Sequence, residues 1–147
     1  MTWDNARADA IIEAHKALDG AALPILHALQ KEFGYIDDAA IEPVAKALNL
    51  SRAEIHGVVT FYHDFRATKP GRHVLRVCRA EACQSRGADA LVEHASARAK
   101  GHDAALTLEP VFCLGLCATA PAAMLDGELH GRLTQNRLDA LIDGCVR

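Results

Sequence analysis

Up to about residue 65 the chain repeats apolar residues at intervals of three and four, the period of a helix with one buried face. Leu23, Leu26, Leu29 and Phe33 form the clearest stripe, with Pro24 suited to a first turn and Gly34 to a C-terminal stop. Ile11, Ile12 and Leu18 make a looser stripe before it. Asp37 or Asp38 can cap a third helix through Val44, Ala45 and Leu48, where Pro43 is tolerated because it stands near the start. Ser51 and Glu54 form a capping box for a fourth, carrying Ile55, Val58, Val59 and Tyr62. These segments predict a small helical bundle.

The pattern changes at Thr68-Lys69-Pro70-Gly71, a polar, breaker-rich stretch that places a domain boundary between residues 1–70 and 71–147. Beyond it, short apolar runs alternate with one helical segment. His73 to Val77 predicts a strand ending at Cys78, Ala88 to Lys100 a helix, and Leu106 to Phe112 a strand ending at Cys113. Ala122–Leu125 and Glu128–Leu133 flank Asp126-Gly127, a strong hairpin signal. Thr134 then caps a last helix through Leu138, Leu141 and Ile142. The order β-α-β-β-α predicts a small mixed sheet covered by helices, and the chain as a whole reads as α+β.

Half of the 147 residues are apolar, enough for one good core or two small ones. No apolar stretch approaches the roughly 20 residues that span a bilayer, so no membrane insertion is expected. The opening MTWDNARADAIIEAHKALDG is charged throughout and does not resemble a secretory leader, which points to a reducing, cytoplasmic setting.

Cysteine spacing supplies the candidate chemistry. Cys78 and Cys83 bracket four residues, 29 residues follow, and Cys113 and Cys117 bracket three. Each pair begins as a strand ends, so two loops can deliver four thiolates to one centre. A diiron-disulfide cluster takes four thiolates, a structural zinc takes four tetrahedrally, and two disulfides would use four as well. The reducing setting removes disulfides; iron–sulfur and zinc remain. Gly115, between the second pair, would let backbone pass close to a metal and aim amides at sulfur, or is a plain turn glycine. Cys145 sits on the last helical stripe and reads as a small buried apolar side chain rather than a ligand. The eight histidines form no metalloprotease pattern, and no glycine-rich phosphate loop is present.

The net charge of −3 conceals one basic block. Residues 66 to 86 carry six basic groups (Arg66, Lys69, Arg72, Arg76, Arg79, Arg86) against Glu81, while both flanking regions are acidic. Without interleaved aromatics this is no nucleic-acid patch, and no nucleic-acid partner is expected. Two ferric ions, two sulfides and four thiolates sum to −2, and one-electron reduction makes −3, so cations nearby would ease reduction. An ordinary solvated face or a docking surface is the alternative.

VCRAEACQSRGADAL around the first pair and EPVFCLGLCATAPAAMLDGELHGRLT around the second resemble the thioredoxin-like 2Fe-2S ferredoxin family. LPILHALQKEFGYI and SRAEIHGVVTFYHDF resemble the helical domain of the 24-kilodalton subunit of complex I, so the likeness covers nearly the whole chain. It implies a thioredoxin-like second domain and one 2Fe-2S cluster, with Cys78 and Cys83 on one iron and Cys113 and Cys117 on the other. It also implies an electron-transfer subunit with no catalytic acid or base and no substrate site of its own. The partners would be a flavin- and NAD-binding subunit and a larger catalytic subunit. The Cys-Arg-Ala-Glu-Ala-Cys segment and the Leu-His-Gly-Arg-Leu run look most like the gamma subunit of NAD-dependent molybdenum formate dehydrogenases. FMN, NAD and a molybdenum cofactor would then sit on partner subunits only. Equivalent subunits of complex I or of NAD-reducing hydrogenases are the alternatives, and a zinc-stabilised interaction module is the rival from another class. Pro121 corresponds to the cis-proline that thioredoxin-like folds place before a strand. Thr60, Phe61 and Tyr62 resemble the family's helix end near a subunit boundary, against the alternative of core aromatics.

Overall fold

Helix α1 (Asn5–His15) starts where the Asp4 carboxylate accepts the Arg7 amide, and α2 (Ala22–Phe33) stops at Gly34, whose φ of 86° closes the last turn through its N–H to Gln30. The structure, a computed structural model, describes residues 3–146. Helix α3 (Ile41–Leu48) follows a 3₁₀ turn, Asp38–Ala40. It begins later than the sequence predicts, because Asp37 spends its carboxylate on the Ala39 amide and so caps the 3₁₀ turn instead. Helix α4 (Arg52–Phe61) opens on the expected capping box: the Glu54 amide reaches the Ser51 hydroxyl, and the Ser51 amide reaches the Glu54 carboxylate.

The chain divides into two compact units, one ending at Lys69 and the other starting at Pro70. In the first, Ile12, Ile25, Leu26, Leu29, Phe33, Val44 and Ile55 make one core. Burying each such side chain contributes about 1.5–3 kcal/mol before the entropy of ordering is set against it. Two sequence expectations fail here. Leu18 lies beyond α1 and is 51 % exposed, so the first stripe rests on Ile12 with Ile11 packed beside it. Phe61 and Tyr62 are 73 % and 43 % exposed, stacked edge-on against each other, which overturns their reading as core aromatics.

The second unit is built on a four-stranded mixed sheet of order β2-β1-β3-β4. Strand β1 (His73–Cys78) pairs in parallel with β2 (Leu106–Val111), His73 opposite Leu106 and Cys78 opposite Val111. Strand β3 (Ala123–Leu125) is antiparallel to both β1 and β4 (Glu128–His130). A short helix, α5 (Glu81–Gln84), absent from the elements expected of the sequence, lies between β1 and α6 (Ala88–Ala99). Leu75 and Val77 point to one face and pack with Ala95 of α6 and with Leu138 and Ile142 of α7 (Gln135–Val146). Thr134 caps α7, its hydroxyl accepting the Arg137 amide, and Cys145 is buried in the same core. The fold class is as read: helices first, then a mixed sheet with helices.

Boundaries differ where local geometry intervenes. β2 stops at Val111, one residue early, and leaves Phe112 exposed. β4 stops at His130, short of the predicted end at Leu133. There Arg132 takes a φ of 50° and the chain turns back, the Arg132 amide bonding the Thr119 carbonyl and the Leu133 amide bonding the Pro121 carbonyl. The Ala120-Pro121 bond is cis. Among the described residues no helix is long and apolar enough to cross a membrane.

Candidate metal centre

Parallel pairing of β1 with β2 brings their C-terminal ends side by side, and both cysteine pairs start there. Cys78 is the last residue of β1, and Cys83 lies on α5 just beyond it. Cys113 comes two residues after β2, and Cys117 opens the 3₁₀ turn Cys117–Thr119. The pairs therefore share one end of the sheet, the position where open sheets commonly build sites.

The first pair is buried, at 2 % exposure each, packed with Ala88, Ala120 and Ala122. The second pair is exposed. Burial pushes the Cys78 thiol up. That push is outweighed by the Ala80 amide, the Cys83 thiol, and the amides of Cys113 and Leu114, all donating to its sulfur, so its pKa ends below the ordinary thiol value. Cys83 moves the other way: burial raises it first, then its hydrogen bond to Cys78, with the Ala122 amide only partly offsetting them. Cys117 is also raised, first by its hydrogen bond to Cys113 and then by the charge there. Within the first pair the thiolate form is thus favoured at Cys78 over Cys83.

The second loop is shaped by backbone. Cys113 has a φ of 84°, a left-handed conformation that costs a non-glycine residue on the order of 1–3 kcal/mol. The successive amides of Cys113 and Leu114 both lower the Cys78 thiol, as donors near a thiolate do. Gly115 also has positive φ, at 76°, and its amide donates to Cys113 Sγ at 3.4 Å. A Cβ on Gly115 would meet no protein atom within 4 Å, so within the chain itself it is the backbone angle that asks for glycine.

Two thiolates on one tetrahedral metal, with metal–sulfur bonds of about 2.3 Å, stand about 3.8 Å apart. Cys113 Sγ and Cys117 Sγ are 3.7 Å apart. Among the described residues no group of three or more His, Cys, Asp or Glu that could hold a metal ion is found. Backbone amides aimed at sulfur suit an anionic sulfur centre, since such hydrogen bonds stabilise charge there. The four cysteines and their amide donors therefore fit a 2Fe-2S cluster.

Sequence reasoning named the thiolates but missed the donors. Amides of Ala80, Cys113, Leu114 and Ala122 carry no side-chain signature, and only the helix-forming Ala80-Glu81-Ala82 run hints at α5. The basic block is divided in use. Arg76 pairs with Glu109 at 2.9 Å across the β1–β2 register, both side chains mostly buried, and Arg79 reaches the exposed Asp89 at 3.4 Å.

Residues 8–146 match the family model for thioredoxin-like 2Fe-2S ferredoxins. The chain is 36 % identical over 129 residues to an NADH-quinone oxidoreductase subunit of Rhizobium meliloti, covering 84 % of this chain and 77 % of that protein. It is 28 % identical over 137 residues to the NADP-reducing hydrogenase subunit HndA of Solidesulfovibrio fructosivorans, covering 89 % and 80 %. The crystal structure of an NAD+-reducing NiFe-hydrogenase in its H2-reduced state superposes with a TM-score of 0.68 at 31 % identity, over 82 % of this chain but only 22 % of the hydrogenase chain. Nearly the whole length of the sequence is thus accounted for, and the chain belongs to the thioredoxin-like 2Fe-2S ferredoxin family.

Proposed function

We propose that Cys78, Cys83, Cys113 and Cys117 hold one 2Fe-2S cluster and that the chain is a one-electron relay subunit of an NAD-linked oxidoreductase. A cluster of this kind takes up and releases single electrons, which is what a flavin-bearing partner needs when two-electron hydride chemistry is divided into one-electron steps. The chain's own residues supply ligands, amide hydrogen bonds and a shielded inner pair. No side chain acts as acid or base.

The observation that carries this reading is the convergence of both pairs at the C-terminal ends of β1 and β2, where the amides of Ala80, Cys113 and Leu114 favour the Cys78 thiolate. The relatives support the wider setting, since their names place them in NADH-quinone oxidoreductase and in a hydrogenase. Flavin and NAD would reside on a partner subunit. The narrower reading, the gamma subunit of an NAD-dependent formate dehydrogenase with its molybdenum cofactor on a larger subunit, rests on the resemblance of the Cys-Arg-Ala-Glu-Ala-Cys segment and the Leu-His-Gly-Arg-Leu run.

Iron, acid-labile sulfide and electron paramagnetic resonance after dithionite reduction test the cluster. Two irons and two sulfides per chain with a reduced-state signal are expected. Stoichiometric zinc without sulfide, in protein from its native host, would overturn the reading in favour of a zinc-stabilised module. Co-purification tests the parent complex: a molybdenum-containing partner with formate-dependent NAD reduction supports the narrower reading, and a nickel-containing or quinone-reducing assembly refutes it.

A further inference from the structure

Arg79 stands directly after Cys78, and its position is fixed from both ends. Its amide bonds the Val111 carbonyl at 2.8 Å, which ties it to the end of β2. Its guanidinium reaches Asp89 at 3.4 Å in the first turn of α6, next in sequence to Ala88, which belongs to the same buried cluster as Cys78 and Cys83. Backbone and side chain thus both join Arg79 to elements that border the inner cysteine pair.

Its hydrogen bonding is incomplete. The Nε of Arg79 is buried and has no partner among the described residues. Leaving a buried donor unmet costs about 1–3 kcal/mol, more when it is charged, so such a group calls for an explanation. Its counter-ion among the described residues, Asp89, is more than half exposed, at a distance and exposure where an ion pair contributes little.

The other cations of the block are placed less well for this task. Arg76 is matched by Glu109, and both side chains are 21 % exposed. Arg72 precedes β1, at the end of the strand opposite Cys78 and about 20 Å away at 3.3 Å per residue. Arg86 is exposed.

We propose that Arg79 is the positioning cation of the electron-transfer site, meeting the charge that the cluster gains on reduction and thereby raising its potential. The inference rests on the cluster reading above. Reduction adds one electron, from dithionite in the test, and no proton; the unit of two irons, two sulfides and four thiolates goes from −2 to −3. A fixed positive charge stabilises the second state more than the first.

The test is a mediated redox titration, followed by electron paramagnetic resonance, on the full chain with its cluster. Arg79→Gln should lower the ratio of reduced to oxidised cluster at fixed potential about tenfold, which is about 59 mV for one electron. Arg79→Lys, which keeps the charge, should recover at least half of that shift. Asp89→Asn should move the ratio upward, and Arg72→Gln should leave it within about twofold. An unchanged ratio in cluster-loaded Arg79→Gln overturns the role of Arg79 while leaving the cluster in place. A shift in Arg79→Lys as large as in Arg79→Gln also overturns it, because geometry rather than charge would then be responsible. Should Arg79→Gln fail to hold a cluster, Arg79→Lys and Asp89→Asn decide: no upward shift in Asp89→Asn overturns the proposal. A wild-type chain without a reducible cluster overturns both this inference and the reading beneath it.

Discussion

The amide of Cys113 is among the groups that hold the Cys78 thiol below its ordinary value, so one loop favours the thiolate delivered by the other. The left-handed backbone at Cys113, with φ at 84°, sets this up and is the cost of it. The inner pair is buried beside these amides, while the outer pair is exposed. Serine substitutions should therefore act unequally. Cys78→Ser draws the acceptor back from three amides in a packed site and is expected to lose most of the iron and sulfide. Cys117→Ser should retain a larger fraction, with an altered spectrum. Metal and sulfide per chain measure this directly; equal losses would show that the amides do not matter.

Two glycines should respond in opposite directions to alanine. Gly57 lies inside α4, and a Cβ there would meet nothing within 4 Å. Helix propensity alone then applies, and Gly57→Ala should stabilise the chain by about 1 kcal/mol. Gly131 lies against Thr119, where a Cβ would come within 2.5 Å of Oγ1 and 2.9 Å of Cβ. Gly131→Ala should destabilise by about 1–3 kcal/mol, as overpacking does. It should also disturb the turn that begins at Cys117. Thermal denaturation of the two variants gives the signs, and matching signs would contradict the packing described.

Helical stripes, the capping box and the Asp126-Gly127 turn were legible because each is a local rule that the tertiary structure did not override. What was not legible depended on partners distant in sequence. Gly71 read as a boundary residue, yet a Cβ there would meet the Asp103 carbonyl at 2.7 Å, a close backbone approach no local pattern announces. β4 ends early because Thr119 and Pro121 claim the amides of Arg132 and Leu133. Tyr62 fits a helical stripe, but the period of a stripe does not say whether anything in the same chain covers it. At the candidate site, side chains identified the ligands, while the amides and the buried Arg79 Nε required coordinates.

Acid sensitivity of the helical unit has a definite sign. The Ser51 amide, then the Ser51 hydroxyl, hold the Glu54 carboxyl below its ordinary value of 4.5. Its folded pKa is therefore depressed, and its contribution is present above the ordinary value and is lost as pH falls through the folded value. Glu54→Gln should lower the melting temperature at neutral pH, and the gap to wild type should close as pH drops below about 4.5. Ser51→Ala removes the cap at about 1 kcal/mol. Melting curves of wild type and Glu54→Gln across this range decide it. A gap that widens toward acid would mean the carboxylate destabilises the fold.

Asp126 joins the hairpin to β1 by more than its turn. Its backbone has a φ of 50° and Gly127 a φ of 93°, the positive pair that a two-residue hairpin requires. Its carboxylate accepts the Val74 amide at 2.8 Å and lies 2.6 Å from His73 Nδ1, while its own amide donates to the Val74 carbonyl. Asparagine keeps the tolerance for left-handed backbone and an oxygen for Val74, so Asp126→Asn should cost under about 1 kcal/mol. Alanine loses both, and Asp126→Ala should cost about 2–3 kcal/mol, one part from strain and one from the unmet amide. Denaturant unfolding of the two variants measures the difference. Because β1 carries Cys78 at its other end, hydrogen exchange at Val74 and Leu75 should rise in Asp126→Ala; if protection there stays at the wild-type level, the hairpin does not anchor the strand that delivers the first ligand.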